Sequence, residues 1–503
     1  MTQRRRSAPR PLALLAVGLP AVLLAPPALA DDKPAEPLPP AATVATTYDF
    51  DDAHAFDGLG ANVWMNNENA DGRDRVLDEL DMRWVRVASG RPVVPPDRLD
   101  AAGHSVEAIL TLFREYMAPT APANADRLTG VMNDLGIGQQ MVVWTMPAPW
   151  ITVRTTDCPE AATRCVFAED DHLDEYANYV TAEVLFAREL GLPADLVEIG
   201  NEPDGYWNTL FTAEQYAQQV MLTRDVLDAY GLTDVGIHGP GTGSQRNAVP
   251  YLEALVATGA IDDLAALSVH DYDTSYTDRC DERLCIETPV GLSDEFQAAL
   301  DRLGIDKTIN VTEYTNRDRA MWNSPPYDCD DGSAGAGRRN GVCGLNDPEY
   351  ALWLVTEGLK LFADGAGSVL QWELTDQSWQ PVNWGIVRRD GAVRPSYHAF
   401  RTMQERMGHA TSVVRGSTSD RDVVTAAFQV GSEVVVVVSN LTDQDVTLRP
   451  VVRGLSRPPT RVVDQQIYSG DTGESIPADV VLSGQSALRV QVPPRSLVAI
   501  TLS

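Results

Sequence analysis

The chain has 503 residues, 44% of them hydrophobic, and a formal net charge of −31. Acidity of this size excludes nucleic acid and anionic membrane surfaces as partners, since both would repel the protein. The length allows one large catalytic domain and a smaller companion.

The chain opens on Arg4, Arg5, Arg6 and Arg10, then an apolar stretch from Leu12 to Leu24, then Ala28-Leu29-Ala30 before Asp31. This order of basic, apolar and small residues predicts a signal peptide over 1–30, and hence a mature protein that is secreted, extracellular and not membrane-bound after cleavage. The apolar run is shorter than the ~20 residues that span a bilayer. Residues 31–42 are rich in proline and read as a spacer.

From Leu59 to Gly408 short apolar runs alternate with amphipathic helical stretches. The predicted strands are Leu59–Trp64, Arg83–Ala88, Met141–Met146, Leu196–Gly200, Val235–His238, Ala265–Tyr272, Thr308–Glu313 and Ser368–Glu373. Thr212 with Gln215 reads as a capping box and Ser293 as an N-cap, while Gly191, Gly231, Gly304 and Gly365 read as helix stops. Strand alternating with helix predicts an α/β fold with a parallel sheet, and eight such units fit a (β/α)8 TIM barrel over 59–408. A doubly wound sheet is the rival, but no Gly-rich phosphate loop follows the first strand.

From Ser412 onward the texture changes to short alternating strands, such as Val423–Val430, Glu433–Ser439, Val446–Val451, Leu488–Val492 and Leu497–Leu502. These predict a C-terminal all-β sandwich domain over 409–503, to which the segment 43–58 adds one or more strands. With no tryptophan, and only Phe428 and Tyr468 as aromatics, this domain reads as a buttress and not as a sugar-binding module.

Six cysteines fall as close pairs. In an exported chain this spacing predicts disulfides Cys158–Cys165, Cys280–Cys285 and Cys329–Cys343.

In a (β/α)8 barrel the active site lies at the C-terminal ends of the strands. The run Leu196 to Asp204 breaks from a strand into Asn201-Glu202-Pro203, and the run Thr308 to Tyr314 carries Glu313 near its end. One glutamate at a strand end is ordinarily a solvated or salt-bridged carboxylate. Two at the ends of strands four and seven face each other across the barrel mouth, as proton transfer and nucleophilic attack at a glycosidic bond require. His238 and His270 sit in no metal-binding spacing and read as site-lining or core histidines, His270 as a candidate for substrate binding, so neither metal nor cofactor is expected.

Asn201-Glu202-Pro203 ending strand four, with Val311-Thr312-Glu313-Tyr314 ending strand seven, resembles clan A of the glycoside hydrolases, the retaining "4/7" enzymes. Barrel plus sandwich is similar in style to families 30, 39 and 79. Gly200, where several of these families prefer Gln or Trp, and the run Asp204 to Trp207 depart from them. The resemblance implies Glu202 as general acid/base and Glu313 as nucleophile. It further implies Asn201 on the sugar 2-hydroxyl, Arg86 holding the nucleophile ionised, and Tyr272, in His270-Asp271-Tyr272, touching the nucleophile. Trp372 would floor the sugar site.

Trp64, Trp144, Trp150, Trp207, Trp322, Trp372, Trp379 and Trp384 fall at strand ends or in the loops after them, where flat rings can carry sugar faces. The sequence therefore predicts a retaining β-glycosidase, a monomer engaged in polysaccharide degradation with carbohydrate as its partner. Its rivals are a transglycosylase on the same site and a non-catalytic carbohydrate-binding barrel. Long loops over Thr152 to Asp170 and Asn316 to Asp347 are expected to wall the site.

Overall fold

The structure is a computed structural model that describes residues 42–88, 90, 92–143, 152–154, 166–205, 208–272, 289–315, 344–378, 383–418, 422–457, 459, 461–477 and 489–503. The signal peptide, the spacer apart from Ala42, all six cysteines, Trp144 and Trp207 lie outside the described residues. So does the loop after strand seven from Asn316 to residue 343.

In chain order the strands are β1 (Ala42–Asp49), β2 (His54–Ala55), β3 (Gly58–Asn62), β4 (Trp84–Ala88), β5 (Gly138–Val142), β6 (Thr152–Arg154) and β7 (Val166–Ala168). There follow β8 (Leu196–Glu198), β9 (Thr209–Leu210), β10 (Gly236–Thr242), β11 (Leu264–Asp271), β12 (Ile309–Tyr314) and β13 (Ala366–Gln371). The last eight are β14 (Ser412–Arg415), β15 (Val423–Val430), β16 (Glu433–Asn440), β17 (Val446–Arg453), β18 (Val462–Ser469), β19 (Ser475–Pro477), β20 (Val490–Val492) and β21 (Ser496–Leu502).

Eight strands close a parallel barrel in the order β3-β4-β5-β8-β10-β11-β12-β13, and β13 pairs back to β3. The (β/α)8 barrel read from the sequence is the one observed, with β8 fourth and β12 seventh. Helix signals act as the residues demand: Gln215 N donates to Thr212 Oγ1 at 3.1 Å, and Thr212 N donates back to Gln215 Oε1 at 2.9 Å. The helix Asp294–Leu303 begins on Ser293 and ends on Gly304, whose φ of +64° is the left-handed stop that glycine takes at no steric cost.

Four strand readings need correction. Strand three runs over Gly138–Val142, starting three residues before the expected Met141, while residues 144–146 of the expected strand lie outside the described residues. Gln139 and Gln140 look too polar for a strand, yet both are buried; Gln140 Nε2 donates to Ser368 Oγ across the barrel at 3.3 Å and Gln139 N donates to Asp195 at 2.7 Å. Strand five continues past the expected end at His238 to Thr242, through Gly239-Pro240-Gly241. Pairing with β11 persists there across register shifts, and the glycines are needed because a Cβ at Gly239 would meet the Tyr216 hydroxyl at 2.1 Å and one at Gly241 the Glu198 carboxyl at 2.5 Å. The segment Thr152 to Asp170 is not all loop: β6, β7 and β9 form a small three-stranded sheet. Gly58 belongs to the barrel as the first residue of β3, while β1 and β2 of the segment 43–58 join the sandwich sheets.

The sandwich has a three-stranded sheet, β1-β17-β20, and a seven-stranded one, β19-β18-β21-β16-β15-β14-β2. The chain's first strand is parallel to β17, from Ala42 beside Val446 to Asp49 beside Arg453. Strand β16 explains how the two domains join. Val434, Val436 and Val438 point into the core between the sheets, while Val435 and Val437 belong to the barrel's hydrophobic core. Val498 and Ile500 of β21 face the sheets' core while Leu497 and Ala499 face the barrel's. Burial on both faces is why these strands read as unbroken apolar runs where a half-exposed sheet would alternate.

Candidate active site

Glu313, the last residue but one of β12, has 3% of its surface exposed, and two donors take its two oxygens. Arg86 Nη1 donates to Oε1 at 2.5 Å and the Tyr272 hydroxyl donates to Oε2 at 2.6 Å. Arg86 comes from β4 and Tyr272 follows β11, so the three meet only because the barrel closes. Glu202 lies just beyond β8, in the turn that Pro203 enforces, and has a φ of +46°. This left-handed conformation is uncommon for a residue with a Cβ and is held by Glu202 N donating to Gly241 O at 2.9 Å.

His270 stands between the two carboxylates, its Nδ1 3.0 Å from Glu202 Oε1 and 3.5 Å from Glu313 Oε2. Arg86 is the hub beneath them. Its Nη2 donates to Asn201 Oδ1 and to Glu198 Oε1, both at 2.6 Å, and its Nη1 also reaches Asn62 Oδ1 at 2.9 Å. With Oδ1 committed to Arg86, Asn201 has its amide nitrogen to offer a ligand. Trp372 follows β13 with its ring edge-on to Trp64, centroids 6.1 Å apart, and Trp64 Nε1 donates to Glu373 Oε2 at 2.5 Å.

Burial pushes the Glu313 carboxyl upward and the charge of Glu202 adds to this, while His270, Arg86 and the Tyr272 hydroxyl pull it back. Arg86 therefore offsets the cost of burying the charge and does not lower the carboxyl below its ordinary value. Burial would depress His270, but the charge of Glu313 and the bond to Glu202 outweigh it and raise the imidazole. Burial and the charge of Glu313 push the Tyr272 phenol well up, which keeps its O–H a donor.

The structure thus brings together Glu202, Glu313, Asn201, Arg86, His270 and Tyr272, with Trp372 beside Trp64 at the end of the last strand; Trp144 and Trp207 lie outside the described residues. Sequence reasoning missed Glu198. It is fully buried, bonded to Arg86 and to Thr312 Oγ1 at 3.1 Å, and held down to about 2 because Arg86, His238 and His270 outweigh its burial. The signal was present as a lone charge inside an apolar strand. His238 reads from the sequence only as a site-lining or core histidine. It is buried beside Glu198, neither ring nitrogen has a hydrogen-bond partner among the described residues, and burial pushes it down to about 4.

Glu202, His270 and Glu313 are also the group of potential metal ligands among the described residues, each offering one atom within 4.8 Å of the others. Those atoms are already engaged with one another and with Arg86 and Tyr272. The guanidinium supplies the positive charge a cation would bring.

No family model and no curated protein matches the chain. Solved structures do. The catalytic domain of a glycoside hydrolase family 30 xylanase from Talaromyces cellulolyticus matches 91% of this chain and 100% of its own, with a TM-score of 0.65 and 17% identity. A family 30 subfamily 8 xylanase from Clostridium acetobutylicum matches 91% of this chain and 99% of its own, at 0.62 and 14%. A family 51 arabinofuranosidase from Xanthomonas axonopodis pv. citri matches 92% and 100%, at 0.59 and 14%. At these identities the likeness shows the fold, a (β/α)8 barrel with a β-sandwich, which this chain shares with glycoside hydrolase structures of families 30 and 51.

Proposed function

We propose that the chain is a secreted retaining β-glycoside hydrolase that cleaves a polysaccharide or oligosaccharide by double displacement. The observation that carries this reading is that Glu202 and Glu313, after strand four and near the end of strand seven, each bring one carboxylate oxygen within 4.8 Å of the other's and of a ring nitrogen of His270, a contact of oxygens that fits the closer of the two carboxyl spacings. Carboxyl groups about 5–5.5 Å apart leave the second carboxylate to attack directly, whereas a gap of about 6.5–9.5 Å admits the water of an inverting reaction. The fold likeness to xylanase and arabinofuranosidase structures supports a sugar substrate.

In the first step a Glu313 oxygen bonds to the anomeric carbon while the glycosidic C–O bond breaks, and the leaving oxygen takes the proton of Glu202. In the second, Glu202 removes a proton from water, the water oxygen bonds to the anomeric carbon, and Glu313 leaves. Arg86 and Tyr272 orient the attacking carboxylate. His270 hydrogen-bonds Glu202 and, with its raised pKa, balances the negative charge around it. The Asn201 amide is available to the sugar 2-hydroxyl.

Proton NMR of a fresh aryl β-glycoside digest tests the mechanism. Release of the β-anomer first is the expected result; release of the α-anomer first overturns it. Export rests on the basic, apolar and small-residue segments of the first 30 residues. N-terminal sequencing of protein from the culture medium should begin at Asp31.

A further inference from the structure

Asp271 ends β11 between His270 and Tyr272, the two residues that reach the carboxylates of Glu202 and Glu313. Side chains alternate along a strand, so Asp271 is turned from the barrel interior toward the layer of helices. There Gln245 Nε2, from the first residue of the helix Gln245–Thr258, donates to Asp271 Oδ1 at 3.2 Å. On its other side Asp271 hydrogen-bonds the carboxyl of Glu357, which comes from the helix Pro348–Ala363. All three side chains are buried.

Two carboxyl groups can hydrogen-bond each other only if one of them keeps a proton, and two buried carboxylates side by side would repel. The neighbouring donors favour Glu357 as the charged partner. Gly291 N donates to Glu357 Oε1 at 2.6 Å and Val290 N donates to Oε2 at 2.8 Å. The proton then lies on Asp271 and is donated to Glu357. Burial pushes the Glu357 carboxyl up, and the Gly291 N–H, the Asp271 hydrogen bond, the Val290 N–H and the charge of Lys360 offset this only in part. Lys360 faces the pair from the same helix and is bonded to Asp364 at 2.7 Å. From β12 the buried Tyr314 phenol faces it, pushed well up by burial, by Tyr350 and by the two carboxyls.

The pair is also fastened to residues 290–293, which lead into the helix Asp294–Leu303. Gln245 Nε2 donates to Gly291 O at 2.9 Å, and Gln245 Oε1 accepts from Ser293 N at 2.7 Å. A pair of amides could fasten that segment without burying a charge. Asp271, however, is the one residue between His270 and Tyr272, so a displacement there moves both.

On the glycosidase reading, we propose that Asp271 and Glu357 hold one proton between them and act as a positioning pair. The shared proton fixes the end of β11 and thereby sets the Tyr272 hydroxyl and the His270 ring against Glu313 and Glu202.

The test uses two variants. Asp271→Asn puts an amide hydrogen where the proton was, so that Oδ1 still accepts from Gln245 and Nδ2 donates to Glu357; Asp271→Ala removes both bonds. In the parent the raised folded pKa stabilises fully below the ordinary 4.5, and this contribution is lost as the pH climbs toward the folded value. Asp271→Asn has no such proton to lose, so its melting temperature should gain on the parent's from about pH 5 upward. A gap that stays constant with pH overturns the shared proton, and this comparison stands whether or not Asp271→Ala folds.

On aryl β-glycosides Asp271→Ala should lower kcat at least ~10-fold with KM little changed, the scale of one charge-assisted hydrogen bond, and Asp271→Asn should recover most of the loss. In a Tyr272→Phe background Asp271→Ala should cost much less, because the bond it positions is already gone. Full additivity overturns the positioning role. A crystal structure of Asp271→Ala reads the same point without turnover: the Tyr272 hydroxyl should have left its 2.6 Å contact with Glu313, and an unmoved hydroxyl overturns the proposal. A displaced hydroxyl and a widening gap, in a parent that hydrolyses no glycoside, keep the pair and reject the glycosidase reading; hydrolysis with a constant gap does the reverse.

Discussion

Glu198 accepts from Arg86 Nη2 at 2.6 Å in the strand that leads to Glu202, both side chains fully buried. The cation that steadies the proposed nucleophile is thus itself anchored by a second carboxylate. Glu198→Gln keeps the shape and removes that charge. We expect a folded protein destabilised by about 3 kcal/mol, the scale for removing one partner of a buried pair. Freed from Glu198, Arg86 should draw the Glu313 carboxyl down, moving the acid limb of the kcat/KM profile to lower pH. Chemical denaturation and a pH–rate series check both; an unmoved acid limb would remove Glu198 from the site's electrostatics.

The two glutamates should fail differently. Glu313→Ala should abolish turnover of every substrate, and azide should restore some activity with a glycosyl azide of inverted configuration. Glu202→Ala should spare activated aryl glycosides, slow poor leaving groups by about 10²- to 10⁴-fold, and give an azide product of retained configuration. Identical behaviour of the two variants would refute the assignment.

Tyr272→Phe removes one charge-assisted hydrogen bond to Glu313 Oε2 without altering the ring. Such a bond contributes about 1.5–3 kcal/mol, so kcat should fall roughly 10- to 100-fold with the melting temperature little changed. A loss of stability that matches the loss of rate would mean that the hydroxyl serves only the fold.

Two buried histidines set the pH range of greatest stability from opposite sides. His270 is raised above its ordinary 6.5, so its stabilisation is full below that value and is lost as the pH climbs through the folded pKa. His238 is lowered to about 4, so its contribution is present above 6.5 and is lost as pH falls toward 4. These two groups by themselves favour stability near pH 6.5, with His238 contributing about 3 kcal/mol to the acid slope at about 1.4 kcal/mol per pH unit. Melting curves of the parent and His238→Gln between pH 4 and 9 test this; an equally steep acid limb in the variant would clear His238 of the effect.

A chain ending at Gly408 should not yield a folded barrel. Phe428 of the sandwich packs edge-on against Phe56 and Phe362 at 5.2 and 6.4 Å, Thr356 bonds Ser439 at 2.5 Å, and the Tyr468 hydroxyl bonds the Pro348 carbonyl at 3.0 Å. Truncation would expose the apolar faces of the helices Pro348–Ala363 and Pro395–Met407, so aggregation is the expected result. A soluble, active truncated barrel would show the sandwich to be dispensable.

Much of the fold was legible because a parallel barrel buries its strands as short apolar runs and its helices carry ordinary caps. Glu202 and Glu313 were legible because each breaks such a run at its end. What escaped were residues whose environment exists only after closure. Gln139 and Gln140 gain partners across strands, Gly239-Pro240-Gly241 stays within its strand because β11 pairs on both sides of the register shift at Gly241, and Glu198 is tolerable in the interior only because Arg86 arrives from another strand. The cluster Val462–Ser469 reads as polar because it lies near an edge of its sheet, and it was passed over as a strand.

The pairing of β1 with β17 also fixes an order of events. Tyr48 shares a hydrogen bond with Thr425, 377 residues later in the chain. The first described strand therefore finds its partners only after β15 and β17 have been made. Contacts of such long range make folding slow and leave partly folded chains prone to association. Under the export proposed above the same delay would be useful, since a chain that cannot finish folding until its last strands appear stays threadable through a translocation channel.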